Sequence, residues 1–573
     1  MIRLELAWTM PAKGLMLPQL QPLPLDVADT RQALEAVMEV EGPRRRSHDV
    51  RDVEKDGPSL VPTSEDAAAT AHAQEDSSLA GRLIRSVKSF EKTMAYYNLE
   101  ARGIQRVTSS ERHSIKDLGF TQIGILWFSI NLAANNITLG MLGPTVYYLS
   151  FLDSALCAVF GMLVGCLPVA YVATFGPRSG NRSMVFARYT MGWYPAKLVV
   201  LLNLIVLLGY CLIDAVVAGQ ILAAVSPGGS MSTIVGIVVV AILTWGITTF
   251  GYSVFHYYER YAWLPQLIVL CILAGVAGPN FDLSTPSTGD TSTIAGSRLS
   301  FFSLCLSAAI TYGGGAADYF VYYPEETPRW QIFGVTMLGL STSFTFAFVL
   351  GIGLGSGVTS VTAWGSANDT SQGALLVAGY GSLGGFGSFC SVIVALGLIA
   401  NMIPPTYSSS VDFQVLARWM VKVPRIVWNT IGVIIYAVCA IAGRTSLAAI
   451  FTNFLALMGY WVAIWIAICL EEHLLFRKLM GLGWQWDDWN ERSKMPVGIA
   501  AIVAFLVGWV GAILCMAQVW YVGPIARLIS ETGGDVSLTV VMLDVCEEAN
   551  GMTARKLCRL RLGCPGLSTA TIL

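Results

Sequence analysis

Eleven long apolar stretches separated by short loops dominate the chain, and the first and sixth are interrupted in mid-span by residues that lipid cannot satisfy. The stretches run at about 120–148, 149–176, 197–223, 231–251, 261–279, 299–323, 331–356, 384–408, 424–443, 447–470 and 497–522. Most approach or exceed the roughly 20 residues that cross a bilayer as a helix. With 54% hydrophobic and only 13% charged residues, a chain of this size has too little polar surface to cover a water-soluble fold. In lipid, each spanning segment must satisfy its own backbone hydrogen bonds, so long apolar runs become helices. The pattern therefore predicts an all-α integral membrane protein with eleven readable spans.

The interruptions carry the functional message. In the first span, Trp127-Phe128-Ser129-Ile130 leads into Asn131, Asn135 and Asn136, then Gly140 and Gly143-Pro144. In the sixth, Ile310-Thr311-Tyr312 runs into Gly313-Gly314-Gly315 and then Asp318. Amides in an apolar run must face protein or a cavity, and three glycines permit unwinding. Small residues also serve close helix packing, which would explain one such segment alone. Two, at corresponding positions of two halves of the chain, point to the broken helices that hold substrate in secondary transporters. Helices 1 and 6 are thus expected to be discontinuous, with their breaks facing each other.

Three further polar residues fall inside the spans. Tyr210 and Asp214 in the third are four apart and share a helical face. Asp214 is the carboxylate nearest the middle of any stretch, where a charge must be paired, protonated or functional. Asn401 places an amide in the eighth stretch just before Pro404-Pro405. Asn135, Tyr210, Asp214, Tyr312, Gly313 and Asn401 are thus the candidates to line a site there, while Asp318 lies nearer the end of its helix.

The remaining composition excludes other chemistries. The net charge of −2 offers no basic face for nucleic acid. Of the 12 cysteines, those from Cys157 to Cys515 lie in apolar stretches as small packing residues. No CxxC pair or Cys/His cluster implies a metal, and no cofactor is expected. The five histidines lie outside the stretches or at their edges, which argues against a mid-membrane histidine relay. A membrane enzyme would need clustered catalytic groups, and a channel a polar stripe along several helices; neither pattern is present.

Loop charges set the expected orientation. On one side stand Arg178, Arg182, Arg188, Lys197, Arg260, Arg329, Arg418, Lys422, Arg425, Arg477, Lys478, Arg492 and Lys494; on the other, up to the last span, only Arg298 and Arg444. The positive-inside rule then puts the N-terminus in the cytoplasm, and leaves the sequon Asn368-Asp369-Thr370 outside. Residues 1–82 read as a disordered cytoplasmic tail, and Leu83, Ile84, Val87, Phe90 and Met94 as an amphipathic lead-in helix. Residues 83–533 form the expected transporter domain. The segment 534–573 is atypical: it is basic, yet eleven spans place it outside. Either a twelfth span is missing or this is not the native end.

Several local sequences, in order, resemble the fungal purine–cytosine permeases of the nucleobase–cation symporter 1 family. They are Leu99-Glu100-Ala101-Arg102-Gly103-Ile104-Gln105-Arg106-Val107, Trp127-Phe128-Ser129 through Leu142-Gly143-Pro144, Phe175-Gly176-Pro177-Arg178-Ser179-Gly180, Phe250-Gly251-Tyr252 through Tyr258-Glu259-Arg260-Tyr261, Asp318-Tyr319 and Ile399-Ala400-Asn401. The resemblance covers roughly 83–533. It implies an amino-acid-transporter-like fold in which helices 1–5 and 6–10 form a 5+5 inverted repeat, with a twelfth helix. It also implies proton-coupled uptake of purine- and cytosine-type nucleobases at the plasma membrane, with substrate held between helices 1, 3, 6 and 8. Through the resemblance Ser129 joins the expected substrate-binding set of Asn135, Tyr210, Asp214, Tyr312, Gly313 and Asn401, and Asp214 becomes the leading proton-coupling candidate, or else the partner of a cationic substrate, with Asp318 the competing candidate.

The site departs from the family pattern. A helix 3 Trp and Asn become Tyr210 and Asp214, and a helix 6 Trp becomes Tyr312. The helix 8 run Asn-Asn-x-Pro-Asn becomes Asn401-Met402-Ile403-Pro404-Pro405, while Ser129 matches a helix 1 serine. Two tyrosines still offer π-faces to a flat ring. An ionised Asp only accepts hydrogen bonds where Asn also donates, which favours a donor-rich or positively charged ligand. Vitamin B6-type or other amine-bearing heterocycles are therefore the alternative substrates, and a non-transporting nutrient sensor the alternative role.

Overall fold

The computed structural model of the chain describes residues 103–112, 119–250, 252–531 and 533–538. The expected tail at 1–82, the lead-in helix from Leu83 and the residues after 538 lie outside them. All eleven apolar stretches are helical. Among the described residues, eight helices are long and apolar enough to cross a membrane, and the bent pair Phe120–Asn131 and Ala134–Thr145 counts as a ninth span. The fourth and eleventh stretches form the shorter helices Thr233–Phe250 and Ile499–Cys515, of 18 and 17 residues, at the lower limit for crossing hydrocarbon.

The first span breaks where its asparagines predict. Its two halves meet at 51°, with Leu132 and Ala133 out of helical conformation between them. Asparagine side chains bond to the backbone around the break: Asn131 Nδ2 donates to Trp127 O at 3.1 Å, and Asn136 Nδ2 donates to Asn131 O at 2.8 Å. The sixth span is α-helical over Thr291–Ile310, then tightens into short 3₁₀ turns at Thr311–Gly314 and Ala316–Phe320 on either side of Gly315. Both expected discontinuities are present, and the rings flanking them touch: Trp127 lies 6.3 Å from Tyr312 and 4.8 Å from Tyr319, both edge-on.

The eighth span differs from expectation. The apolar stretch predicts an end near residue 408, but the helix runs through Pro404-Pro405 over Gly385–Leu416. A proline deletes one hydrogen bond and kinks a helix; packed against neighbouring helices in a membrane, the helix continues through it. The continuation buries Asp412 at 5% exposure, inside the span rather than beyond it.

Close packing relies on small residues. Gly161 and Gly165, one turn apart on the second span, face the backbone of Phe302 and Leu306 on the sixth. A Cβ at Gly165 would also lie 2.9 Å from that of Ala309. Gly165→Leu is expected to force these helices apart. Overpacking costs on the order of 1–3 kcal/mol, to be read as a lower unfolding temperature of the detergent-solubilised protein. An unchanged temperature would mean that the helices do not approach this closely.

The end of the bundle that carries most Lys and Arg, termed the basic end, is sealed by two short buried helices, Phe175–Ser179 and Ser183–Met191. At the opposite end, Thr362–Thr370 and Gln372–Gly379 lie between spans 7 and 8. There the chain also folds back after the last span through a small hairpin pairing Ala517–Gln518 with Tyr521–Val522. Asp535 is buried against Tyr460, whose hydroxyl donates to it, and Gly534 N donates to Ser300 Oγ at 3.0 Å. Burial pushes the Asp535 carboxyl above its ordinary range, against the opposing Tyr460 hydrogen bond.

Candidate functional site

Span 3, Pro195–Val225, is apolar around its circumference and mostly buried, so its polar residues must find partners inside the bundle. Asp214 is fully buried. Asn401 Nδ2 donates to Asp214 Oδ2 at 3.0 Å, and Asn135 is its other polar neighbour. Asn135 lies in the first turn of the second half-helix of span 1. The carboxyl thus lies near a helix N-terminus, whose free N–H groups favour negative charge. Asp214 Oδ1 is buried and accepts no hydrogen bond from the described residues.

Span 8 adds backbone acceptors at the same level. Pro404 and Pro405 have no N–H to give to the carbonyls of Ala400 and Asn401, one turn earlier. Those two carbonyls therefore lack their usual intrahelical donors, on the turn that carries Asn401.

One turn below Asp214, Tyr210 is fixed by its hydroxyl, which lies 3.2 Å from Ala308 O and 2.6 Å from Thr311 Oγ1. These contacts tie span 3 to the point where span 6 loses α-helical form. The Tyr210 ring centroid is 6.0 Å from that of Tyr312, tilted 44°. Tyr312 also meets Trp127 and, at 6.0 Å, Phe344. Tyr312 is therefore the hub of an aromatic group drawn from spans 1, 3, 6 and 7. Trp127, absent from the expected site set, belongs to it. Its indole Nε1 and the nearby Asn131 Oδ1 are both buried without hydrogen-bond partners among the described residues.

The other expected residues are placed as follows. Ser129 is half-buried on the last turn of the first half-helix, where its carbonyl accepts from Leu132 N at 3.3 Å. Gly313 faces span 10: a Cβ there would lie 2.7 Å from Ile466 Cδ1. Gly314 abuts the Asn203 amide on span 3. Asp318 accepts from Ser183 N at 2.7 Å and pairs with Arg182 at 3.7 Å, while Ser183 Oγ accepts from Ala317 N at 3.0 Å. Asp318 thus caps the buried helix at the basic end and is held by a cation.

A bundle of apolar helices with two interrupted spans meeting beside a buried carboxyl–amide pair is the architecture of a secondary transporter, not of an enzyme. The family model described as permease for cytosine/purines, uracil, thiamine and allantoin matches residues 107–528, and the chain belongs to that family. It is 35% identical over 490 residues to the purine-cytosine permease fcyB of Emericella nidulans, covering 85% of this chain and 94% of the relative. It is 32% identical to the purine-cytosine permease FCY2 of Saccharomyces cerevisiae, covering 85% and 94%. The vitamin B6 transporter TPN1 of the same yeast is 32% identical over 524 residues, covering 83% and 90%. Among solved structures, inward-facing Mhp1 superposes with a TM-score of 0.57 over 80% of this chain and 96% of that one, at 13% identity. Mhp1 in a closed conformation with bromovinylhydantoin bound gives 0.56 over 82% and 98%, at 14% identity. At those identities the likeness concerns the fold.

Proposed function

We propose that this chain imports purine- and cytosine-type nucleobases together with a proton across the plasma membrane, with its N-terminus and basic end in the cytoplasm. The excess of Lys and Arg at that end supports the orientation. The observation that carries the proposal is the buried Asp214–Asn401 pair, flanked by the rings of Tyr210 and Tyr312. It joins a hydrogen-bonding edge to aromatic faces at mid-membrane, the two elements a flat nitrogen heterocycle needs. In this reading Tyr210 and Tyr312 contact the ring faces. Asn401, Asn135 and Ser129 bond its edge, and the turn at Gly313 lets the chain leave helical form beside it. Asp214 carries the proton. Asp318, already neutralised by Arg182, holds the basic end together instead.

The carboxyl at Asp214 supports a second reading, an amine-bearing heterocycle of the vitamin B6 type, because an ionised acid accepts hydrogen bonds and attracts positive charge. Purine-cytosine permeases and a vitamin B6 transporter both stand among the relatives. Competition uptake separates the two. In cells lacking endogenous carriers, labelled cytosine entry should be blocked by unlabelled adenine, guanine or hypoxanthine and hardly by pyridoxine. Block by pyridoxine alone would turn the assignment to the second reading. Absence of uptake of any of these compounds, with the protein at the cell surface, would overturn both readings and leave another amine-bearing heterocycle or a sensor role.

A further inference from the structure

Two residues outside the site repeat its chemistry in reverse. On span 3, Asn203 lies eleven residues before Asp214; on span 8, Asp412 lies eleven after Asn401. Eleven residues make three helical turns plus about 20°, a rise of about 16 Å, so each helix carries both of its polar groups on one face. The spans run antiparallel, and the groups meet in reciprocal pairs. Asn401 of span 8 donates to Asp214 of span 3 at 3.0 Å, and Asn203 of span 3 donates to Asp412 of span 8 at 2.7 Å. Asn203 and Asp412 are 2% and 5% exposed.

The partner's identity separates these carboxyls from Asp318. A guanidinium only donates, and it holds an acid in its ionised form. An amide both donates and accepts: its Nδ2 satisfies a carboxylate, and its Oδ1, after a flip, accepts the O–H of a carboxylic acid. A buried acid paired with an amide can therefore keep its hydrogen bond to that partner in both protonation states. Asp214 and Asp412 are so paired, whereas Asp318 has Arg182 and a backbone N–H.

The charged groups around Asp412 are few. Asp318 at the end of span 6 and Arg182 at the head of the buried helix act on it across space. Arg425 of span 9 reaches the same layer by lying over the Tyr407 ring, 4.4 Å from its centroid. Asn203 is the polar contribution of span 3. Gly314 abuts Asn203, so movement of the broken span 6 would bear directly on the lower pair.

We infer that Asp412 is a second proton-binding residue of the transport cycle, placed toward the basic end as the reciprocal of Asp214. The inference rests on the proton-coupled reading above. A proton released at the Asp214 level would cross the roughly 16 Å between the two pairs on water admitted as the bundle opens, and be held on Asp412, whose protonation the Asn203 amide accommodates. No bond other than the acid O–H is made or broken, and the proton passes to water at the basic end.

The test uses the full chain reconstituted in liposomes containing a pH-sensitive dye, with labelled cytosine, adenine and pyridoxine supplied in turn. Wild type should acidify the lumen as labelled compound enters. Asp412→Asn should lose the proton signal per molecule transported and flatten the pH profile of uptake. If Asp412→Asn keeps both the wild-type proton ratio and the wild-type pH profile, Asp412 is a packing residue and the inference falls alone. Wild type that moves label without protons, or moves none, overturns the proton-coupled reading and this inference with it. Should Asp412→Asn not yield monodisperse protein, Asp412→Glu replaces it. The displaced carboxyl should shift the pH of half-maximal uptake, and a wild-type profile would overturn the inference.

Discussion

Asparagine at position 214 is expected to make uptake insensitive to pH. It has the size of the aspartate and can still bond Asn401, but it mimics only the neutral acid and cannot exchange a proton. Wild-type uptake should rise as the outside is acidified, because more carriers enter the cycle protonated. Asp214→Asn should give a flat profile from about pH 5 to pH 8, the window where acid–base groups tuned for function work. It should also lose accumulation against a gradient, since a carrier that cannot move protons equilibrates its substrate but does not concentrate it. The same change swaps an acceptor for a group that also donates, so discrimination between nucleobases and amine-bearing competitors should move toward the nucleobases. Initial rates of labelled uptake with matched surface expression measure both effects. Identical pH profiles and competitor ranking in mutant and wild type would remove Asp214 from the mechanism.

Asp214 was legible in the sequence because it stands alone. A carboxyl in the middle of an apolar run has no surface explanation, and the tyrosine one turn earlier fixes which face it shares. The breaks in spans 1 and 6 were legible for the same reason: asparagine and consecutive glycines there conflict with a lipid-facing helix. The resemblance added the partner helices, which periodicity in a uniformly apolar span does not reveal.

Asp412 was not legible, and the reason is physical. The apolar stretch reads as ending at about residue 408, which places Asp412 beyond the eighth span. In the folded bundle the helix continues to Leu416, and buried hydroxyls on its next turns bond back to carbonyls: Thr406 Oγ1 to Met402 O at 2.7 Å and Ser409 Oγ to Thr406 O at 2.8 Å. With the span extended, Asn203 ceases to be one polar residue in an apolar helix and becomes the partner of a buried acid. Trp127 was missed for a different reason. It is one aromatic among many in the apolar stretches, and only the packing of span 1 against span 6 brings it to Tyr312. The packing of Asp535 against Tyr460 is likewise tertiary, joining segments 75 residues apart.

The largest loss of affinity is expected at Tyr312. Its ring meets Trp127, Tyr210 and Phe344 at centroid distances of 6.0–6.3 Å, so truncation opens the centre of the aromatic group rather than its rim. Stacking of a base on an aromatic side chain is worth about 1–3 kcal/mol, or roughly 5- to 150-fold in affinity. Tyr312→Ala should therefore raise KM for uptake by that order, while Tyr312→Phe, which keeps the π-face, should stay near wild type. Tyr210 should behave differently, because its hydroxyl ties span 3 to the frayed end of span 6. Tyr210→Phe keeps the ring and loses that tie, a change of about 0.5–1.5 kcal/mol per hydrogen bond that should fall on stability or maximal rate more than on KM. The contrast separates a stacking role from general loosening of the fold. If Tyr312→Ala and Tyr312→Phe raise KM equally, the ring face is not what the substrate meets. If neither changes KM while both reach the surface, the substrate binds elsewhere in the bundle, and the aromatic group around Tyr312 only packs spans 1, 3, 6 and 7 together.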